Sequence, residues 1–198
     1  MRIVRISARH FHSPRYLFAF FLLAALLASL AELAGATRPL DALPISIENF
    51  GKVTENYYRG SQPDLGQFAE LKRLGVKTII DLRKDRLNEA SEWARSADLH
   101  YINIPLTTKQ PAIDEQTVQF FKIVNDSVNW PVYVHCKGGR HRTGEMTALY
   151  RITNEGWTAG QAYQEMKKYD FEDSFFYPRS LKKHVFSYYQ RLSKSREN

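Results

Sequence analysis

At 198 residues the chain has the length of one domain with a substantial core. Its single cysteine excludes an internal disulfide and argues against a disulfide-stapled fold. The formal net charge is +7, but four basic residues (Arg2, Arg5, Arg9, Arg15) precede a long apolar run; without residues 1–36, 24 basic and 20 acidic residues remain, a surplus that suits an anionic substrate. No Lys/Arg stripe interleaved with aromatics appears, which sets nucleic acid aside as a partner.

The basic stretch, the apolar run 16–31 and the small residues Ala34-Gly35-Ala36 stand in the order of a secretory signal peptide cut near Ala36. The run is also long enough to span a bilayer as an uncleaved anchor, with the basic end left in the cytoplasm. Either way, residues 1–36 engage a membrane or the export machinery. The remainder is then exported (periplasmic or secreted) or anchored at that membrane. Residues 37–49, with Pro39 and Pro44, read as a linker, and 50–195 as the domain.

Alternation over 45–58 predicts a short strand pair turning near Glu55-Asn56. The turn-like Tyr57-Tyr58-Arg59-Gly60-Ser61-Gln62-Pro63 follows. Asp64 is placed to cap a helix over 65–74, ended by Gly75. Residues 76–82 form the best buried strand, 87–97 a helix-prone stretch, and 99–104 a second strand. A loop with two prolines, 105–112, leads to Asp114, read as the cap of a helix over 115–126. A strand over 131–135 runs into a glycine-rich turn, then a helix over 143–155. Thr158 and Gln161 make a capping box for a helix to about Tyr169. The last helix runs from about Arg179 to Leu192. Strands alternating with helices indicate an α/β fold with a mostly parallel central sheet flanked by helices. Trp130 is expected beneath the strand before the turn. The aromatics Phe171, Phe175, Phe176, Tyr177, Phe186, Tyr188 and Tyr189 read as packing, and Lys182-Lys183-His184 as a solvated helix face.

The turn is the chemical centre of the chain: His135-Cys136-Lys137-Gly138-Gly139-Arg140-His141-Arg142-Thr143-Gly144. A strand that turns through glycines into a helix N-terminus gathers backbone N–H groups into an anion cradle, and the helix dipole adds positive charge. Helix N-termini and nearby cations lower cysteine thiols from about 8.5 to roughly 3.5–7.5, so a cysteine at such a mouth is biased toward thiolate. Arg142 supplies a planar fork for two oxygens of a tetrahedral anion. A buried, inert cysteine beside a glycine turn explains less, because cysteine, glycines and arginine coincide directly after a strand.

Cys-x5-Arg-Thr-Gly preceded by His resembles the signature loop of the cysteine-dependent protein tyrosine and dual-specificity phosphatases. The resemblance implies their three-layer fold and a two-step reaction through a cysteinyl-phosphate, without cofactor. Carried over, Cys136 is the nucleophile, and Arg142 binds phosphate and stabilises the transition state. Thr143 hydrogen-bonds the thiolate and assists breakdown of the intermediate. His135 supports the cysteine. The amides of residues 137–142, spanning Lys137, Gly138, Gly139, Arg140 and His141, hold the phosphoryl oxygens. The upstream Tyr-Arg-small-x-Pro element also occurs in atypical dual-specificity phosphatases, and Arg59 either sits near the phosphate or ties down that turn.

These phosphatases need an acid to protonate the leaving oxygen. The resemblance places an aspartate on a loop before the cysteine, but residues 105–113 hold no carboxylate. Asp114 is the first candidate, then Asp85, with Asp81 a further option. Lys137, Arg140 and His141 add charge around the loop. Gly-x-His-Arg-Thr-Gly with a basic residue at x is similar to the plant and fungal enzymes that hydrolyse inositol pyrophosphates. Phosphotyrosine, phosphoserine or phosphothreonine in proteins and inositol phosphates therefore all stand as substrates. Two alternatives stay open: a phosphate-binding module with little turnover, and a thiolate-dependent sulfurtransferase. No metal-binding spacing of His or Cys occurs.

Overall fold

Five strands form one sheet in the order β1-β2-β5-β3-β4: β1 Gly51–Thr54, β2 Tyr57–Gly60, β3 Thr78–Arg83, β4 His100–Leu106 and β5 Val132–His135. The computed structural model describes residues 45–85, 88–172 and 179–197. β1 and β2 are an antiparallel pair, and every other pairing is parallel. Six α-helices accompany the described sheet: α1 Leu65–Arg73, α2 Asn88–Ser96, α3 Asp114–Val124, α4 Arg142–Asn154, α5 Ala159–Lys168 and α6 Arg179–Glu197.

Side chains alternate across the sheet, and this sorts the core into two layers. Tyr58, Ile79 and Tyr133 face Phe68 and Leu71 of α1 and Ala94 of α2. Tyr57, Ile80 and Val134 face α3 to α6 through Phe120, Met146, Leu149, Met166, Leu181 and Val185. Each large side chain fully buried here is worth roughly 1.5–3 kcal/mol. β3 and β5 lie in the middle of the sheet and are buried throughout, as parallel strands covered on both faces must be.

Local signals set most boundaries. Asp64 and Gln67 form a capping box at α1, and Thr158 with Gln161 does the same at α5. Three expectations shift. β4 runs on through Pro105 to Leu106, because β4 is an edge strand, where a proline need not donate to a neighbour. Ile113, not Asp114, occupies the cap position of α3; Gln116 Oε1 accepts the Ile113 N–H there, and Asp114 is the first helical residue. Residues 45–49 pack onto the domain and are not linker: Ile47 is buried, and Ser46 hydrogen-bonds Glu70 on α1.

α4 carries the turn into the core. Arg151 anchors it by donating to Val53 O at 3.0 Å, pairing with Glu155 and Glu165, and stacking on Trp157. Trp130 packs on the core beside β5 and donates Nε1–H to Val124 O at 2.7 Å. Phe171 is buried as expected, whereas Phe186 is partly exposed. Phe175, Phe176, Tyr177 and the leader 1–36 lie outside the described residues. Among the described residues no helix is long and apolar enough to cross a membrane.

Candidate active site

β5 delivers Cys136, 2% exposed, to the head of α4. The intervening loop is fastened from outside by its carbonyls. Lys137 O accepts from Gln62 N at 3.1 Å, Gly138 O from Asn49 Nδ2 at 2.9 Å, and Gly139 O from Arg59 Nη2. Gly139 has φ +68, and a Cβ there would lie 2.6 Å from the Gly60 carbonyl carbon, so only glycine fits the turn. With three successive carbonyls turned outward, the N–H groups of residues 137–140 bond no atom among the described residues. Amide donors without protein partners are open to a bound anion, as an oxyanion cradle requires.

Arg142 opens α4 and is almost buried; Nη1 donates to Leu106 O at 3.3 Å and lies 3.6 Å from Asp85 Oδ1. Nε makes no hydrogen bond in the described structure, which leaves donors of the fork for a bound anion. Asp85 is 82% exposed in its side chain and follows β3, so it is held at the mouth, beside the cation that would grip phosphate.

The other acid candidates separate. Asp81 is an internal ion-pair residue: although burial opposes ionisation, hydrogen bonds from Arg83 and Tyr101 hold its carboxyl below the usual range. Such a group keeps its charge and has no proton to give. Asp114 is exposed at the start of α3, and no described contact joins it to the loop.

His135 is fully buried, with Nδ1–H donating to Cys136 O at 3.2 Å and lying 4.0 Å from Asp81 Oδ1. Burial is the largest cause that pushes it down to about 4, so it is a neutral imidazole that orients the cysteine backbone. His141 packs its ring 5.3 Å from Phe171, and burial lowers its pKa as well; it does not add the positive charge expected of it. Arg140 is turned to the rim, 2.9 Å from Glu48 and 4.0 Å from Asp170, whereas Lys137 is exposed. Thr143 Oγ1 is buried without a hydrogen-bond partner among the described residues, so the bond to the cysteine sulfur that the resemblance implied is not made there. Arg59 lies beneath the loop rather than merely at its own turn.

Two functional contacts escaped the sequence. Glu145, fully buried on α4, accepts the Ala112 N–H at 3.1 Å and the His184 Nδ1–H at 2.7 Å. His184 is therefore not a solvated residue; it ties α6 to the loop before α3. Glu48 and Asn49 clamp the phosphate loop from the segment read as linker. In the sequence these are isolated polar residues far from their partners, and no local pattern marks them.

Residues 46–181 match the family model described as DSP-PTPase phosphatase fused to NAD+ kinase. The dual specificity protein phosphatase TpbA of Pseudomonas aeruginosa strain PAO1 is 30% identical over 145 residues, 72% of this chain and 65% of that protein. TpbA has been solved in complex with phosphotyrosine, and that structure superposes with TM-score 0.61 at 26% identity, covering 79% of this chain and 99% of the other. The inositol diphosphatase DSP4 of Arabidopsis thaliana is 28% identical over 126 residues, 61% of this chain and 63% of that one. The chain thus spans just under two thirds of these two relatives. The catalytic core of the PP-IP phosphatase Siw14 from S. cerevisiae, bound to citrate, shares the fold with TM-score 0.65 at 21% identity over 78% of this chain and 96% of that one.

Proposed function

The chain belongs to the DSP-PTPase phosphatase family, and from that premise we propose that it hydrolyses phosphate monoesters through a cysteinyl-phosphate on Cys136. The carrying observation is the loop itself: Cys136 and Arg142 bracket a turn whose carbonyls are tied by Gln62, Asn49 and Arg59 and whose 137–140 amides bond no atom among the described residues. A phosphoryl group seated there meets the thiolate on one side and the guanidinium fork on the other. In the first step the Sγ–P bond forms as the ester P–O bond breaks, and the leaving oxygen takes a proton. In the second, water attacks phosphorus, the S–P bond breaks, and inorganic phosphate departs.

Asp85 is the proposed proton donor. It stands 3.6 Å from Arg142, within reach of an ester held by that guanidinium. The same residue then takes the proton of the attacking water. A carboxyl beside Arg142 supports turnover over phosphate binding alone, and nothing in the site favours sulfur transfer.

Substrates of the two classes for which TpbA and DSP4 are named, phosphorylated protein side chains and inositol phosphates, both suit a phosphate loop with exposed Lys137 at its edge. Residues 1–36 are proposed to export the enzyme or hold it at a membrane; fractionation that leaves the whole chain in the cytosol rejects this. For the activity, the purified chain is assayed for phosphate release from an aryl phosphate, phosphopeptides and inositol pyrophosphates. Release abolished by Cys136→Ser is the expected result. Absence of release from every substrate, or release untouched by that substitution, refutes the reading.

A further inference from the structure

Arg59 is 0% exposed, and no carboxylate pairs with it among the described residues. One nitrogen donates to Gly139 O, the guanidinium plane lies 3.8 Å over the Tyr169 ring, and Nε and Nη1 have no hydrogen-bond partner in the described structure. A guanidinium buried without a counterion is costly, and an apolar side chain of similar volume would be easier to fold around. Its cost therefore calls for a negative charge nearby.

The surroundings narrow the choice. Tyr57, Tyr133 and Tyr169 are phenols, and burial pushes Tyr57 and Tyr133 further toward the neutral form. Glu165 is held by Arg151 at 2.6 Å. On the β5 side, Arg59 pairs in register with Val134, two residues before Cys136; His135 is neutral and Arg142 is a cation. Burial lowers the Arg59 pKa, and attraction to Cys136 is among the effects that oppose this.

We propose that Arg59 is a positioning residue whose buried charge favours the anionic form of Cys136 from beneath the loop while its bond to Gly139 O fixes the turn. The role rests on the phosphatase reading but is measurable without turnover. Cys136 is the sole cysteine, so iodoacetamide alkylation reports its reactivity directly. Arg59→Met keeps the volume and removes the charge. Its alkylation at pH 6 is expected to slow at least fivefold against the native chain, with the rate at pH 9.5 within twofold. An equal loss at both pH values, or none at either, overturns the proposal. Should Arg59→Met fail to fold, Arg59→Lys decides: a native ratio of the two rates supports the charge, and a ratio reduced fivefold or more overturns it. A native chain that alkylates as expected yet releases no phosphate would sink the proposed function and leave this inference standing.

Discussion

His184 on α6 and the backbone N–H of Ala112 share one oxygen, Oε1 of Glu145, at 2.7 and 3.1 Å. One buried carboxylate thereby joins the C-terminal helix, the phosphate-loop helix and the segment leading into α3. Burial raises the Glu145 pKa, and the His184 hydrogen bond opposes that rise. Removing the imidazole strands the carboxylate. His184→Ala is expected to lose about 3 kcal/mol in urea unfolding, with faster hydrogen exchange at the Ala112 amide. Adding Glu145→Gln should recover at least half of the loss. A single variant within about 0.5 kcal/mol of the native chain contradicts the bracing role.

The two aspartates make opposite forecasts. Asp85→Asn should slow aryl-phosphate turnover about 10²–10⁴-fold, the range for loss of a general acid, and should matter less as the leaving group improves. Asp114→Asn, at an exposed helix start, should leave kcat within about twofold. Steady-state kinetics of both variants with leaving groups of graded acidity settle the assignment, and a reversed pattern assigns the acid to Asp114.

Gly139→Ala places a methyl against Gly60 and Ser61 backbone at a positive φ. The backbone must shift, at a cost of about 1–3 kcal/mol, and the Gly139 carbonyl loses its alignment with Arg59. Vanadate affinity should fall together with activity. A variant with native thermal stability and native vanadate binding would show that the turn tolerates the movement.

Acid sensitivity follows from His135, whose pKa burial depresses from 6.5 to about 4. The unfolded chain accepts a proton below about pH 6.5 that the folded state refuses, so stability declines as pH drops from about 6.5 toward 4. The loss is at most about 3 kcal/mol for this group. Asp81, depressed below 3.8, adds its own loss only below that window. His135→Gln should flatten the decline between pH 6.5 and 4.5 in urea titrations; an unchanged slope assigns it to other groups.

Much of this site is legible in the chain because its signals are local. The Cys-x5-Arg spacing, the glycine needed at 139, and the caps at Asp64 and Thr158 each depend on neighbours within a turn or two. The order of strands and helices follows equally from hydrophobic period. Long-range pairing is another matter. Glu145 and His184 are 39 residues apart, Arg140 and Glu48 are 92, and no periodicity announces that they meet. The proposed acid illustrates the same limit: resemblance directed attention to the loop before α3, whereas the sheet order sets the end of β3 beside β5 and brings Asp85 to Arg142. His141 was read by its formal chemistry; its ring packs against Phe171, a partner no local pattern marks, and burial lowers its pKa.

The clamp made by Glu48 and Asn49 carries a practical lesson for anyone trimming this protein. A truncation begun at Gly51 would retain every described strand and helix and give an ordinary circular dichroism spectrum. It would nevertheless have shed the struts that hold the Cys136 loop, and a feeble preparation of that kind would say little about the chain that keeps them.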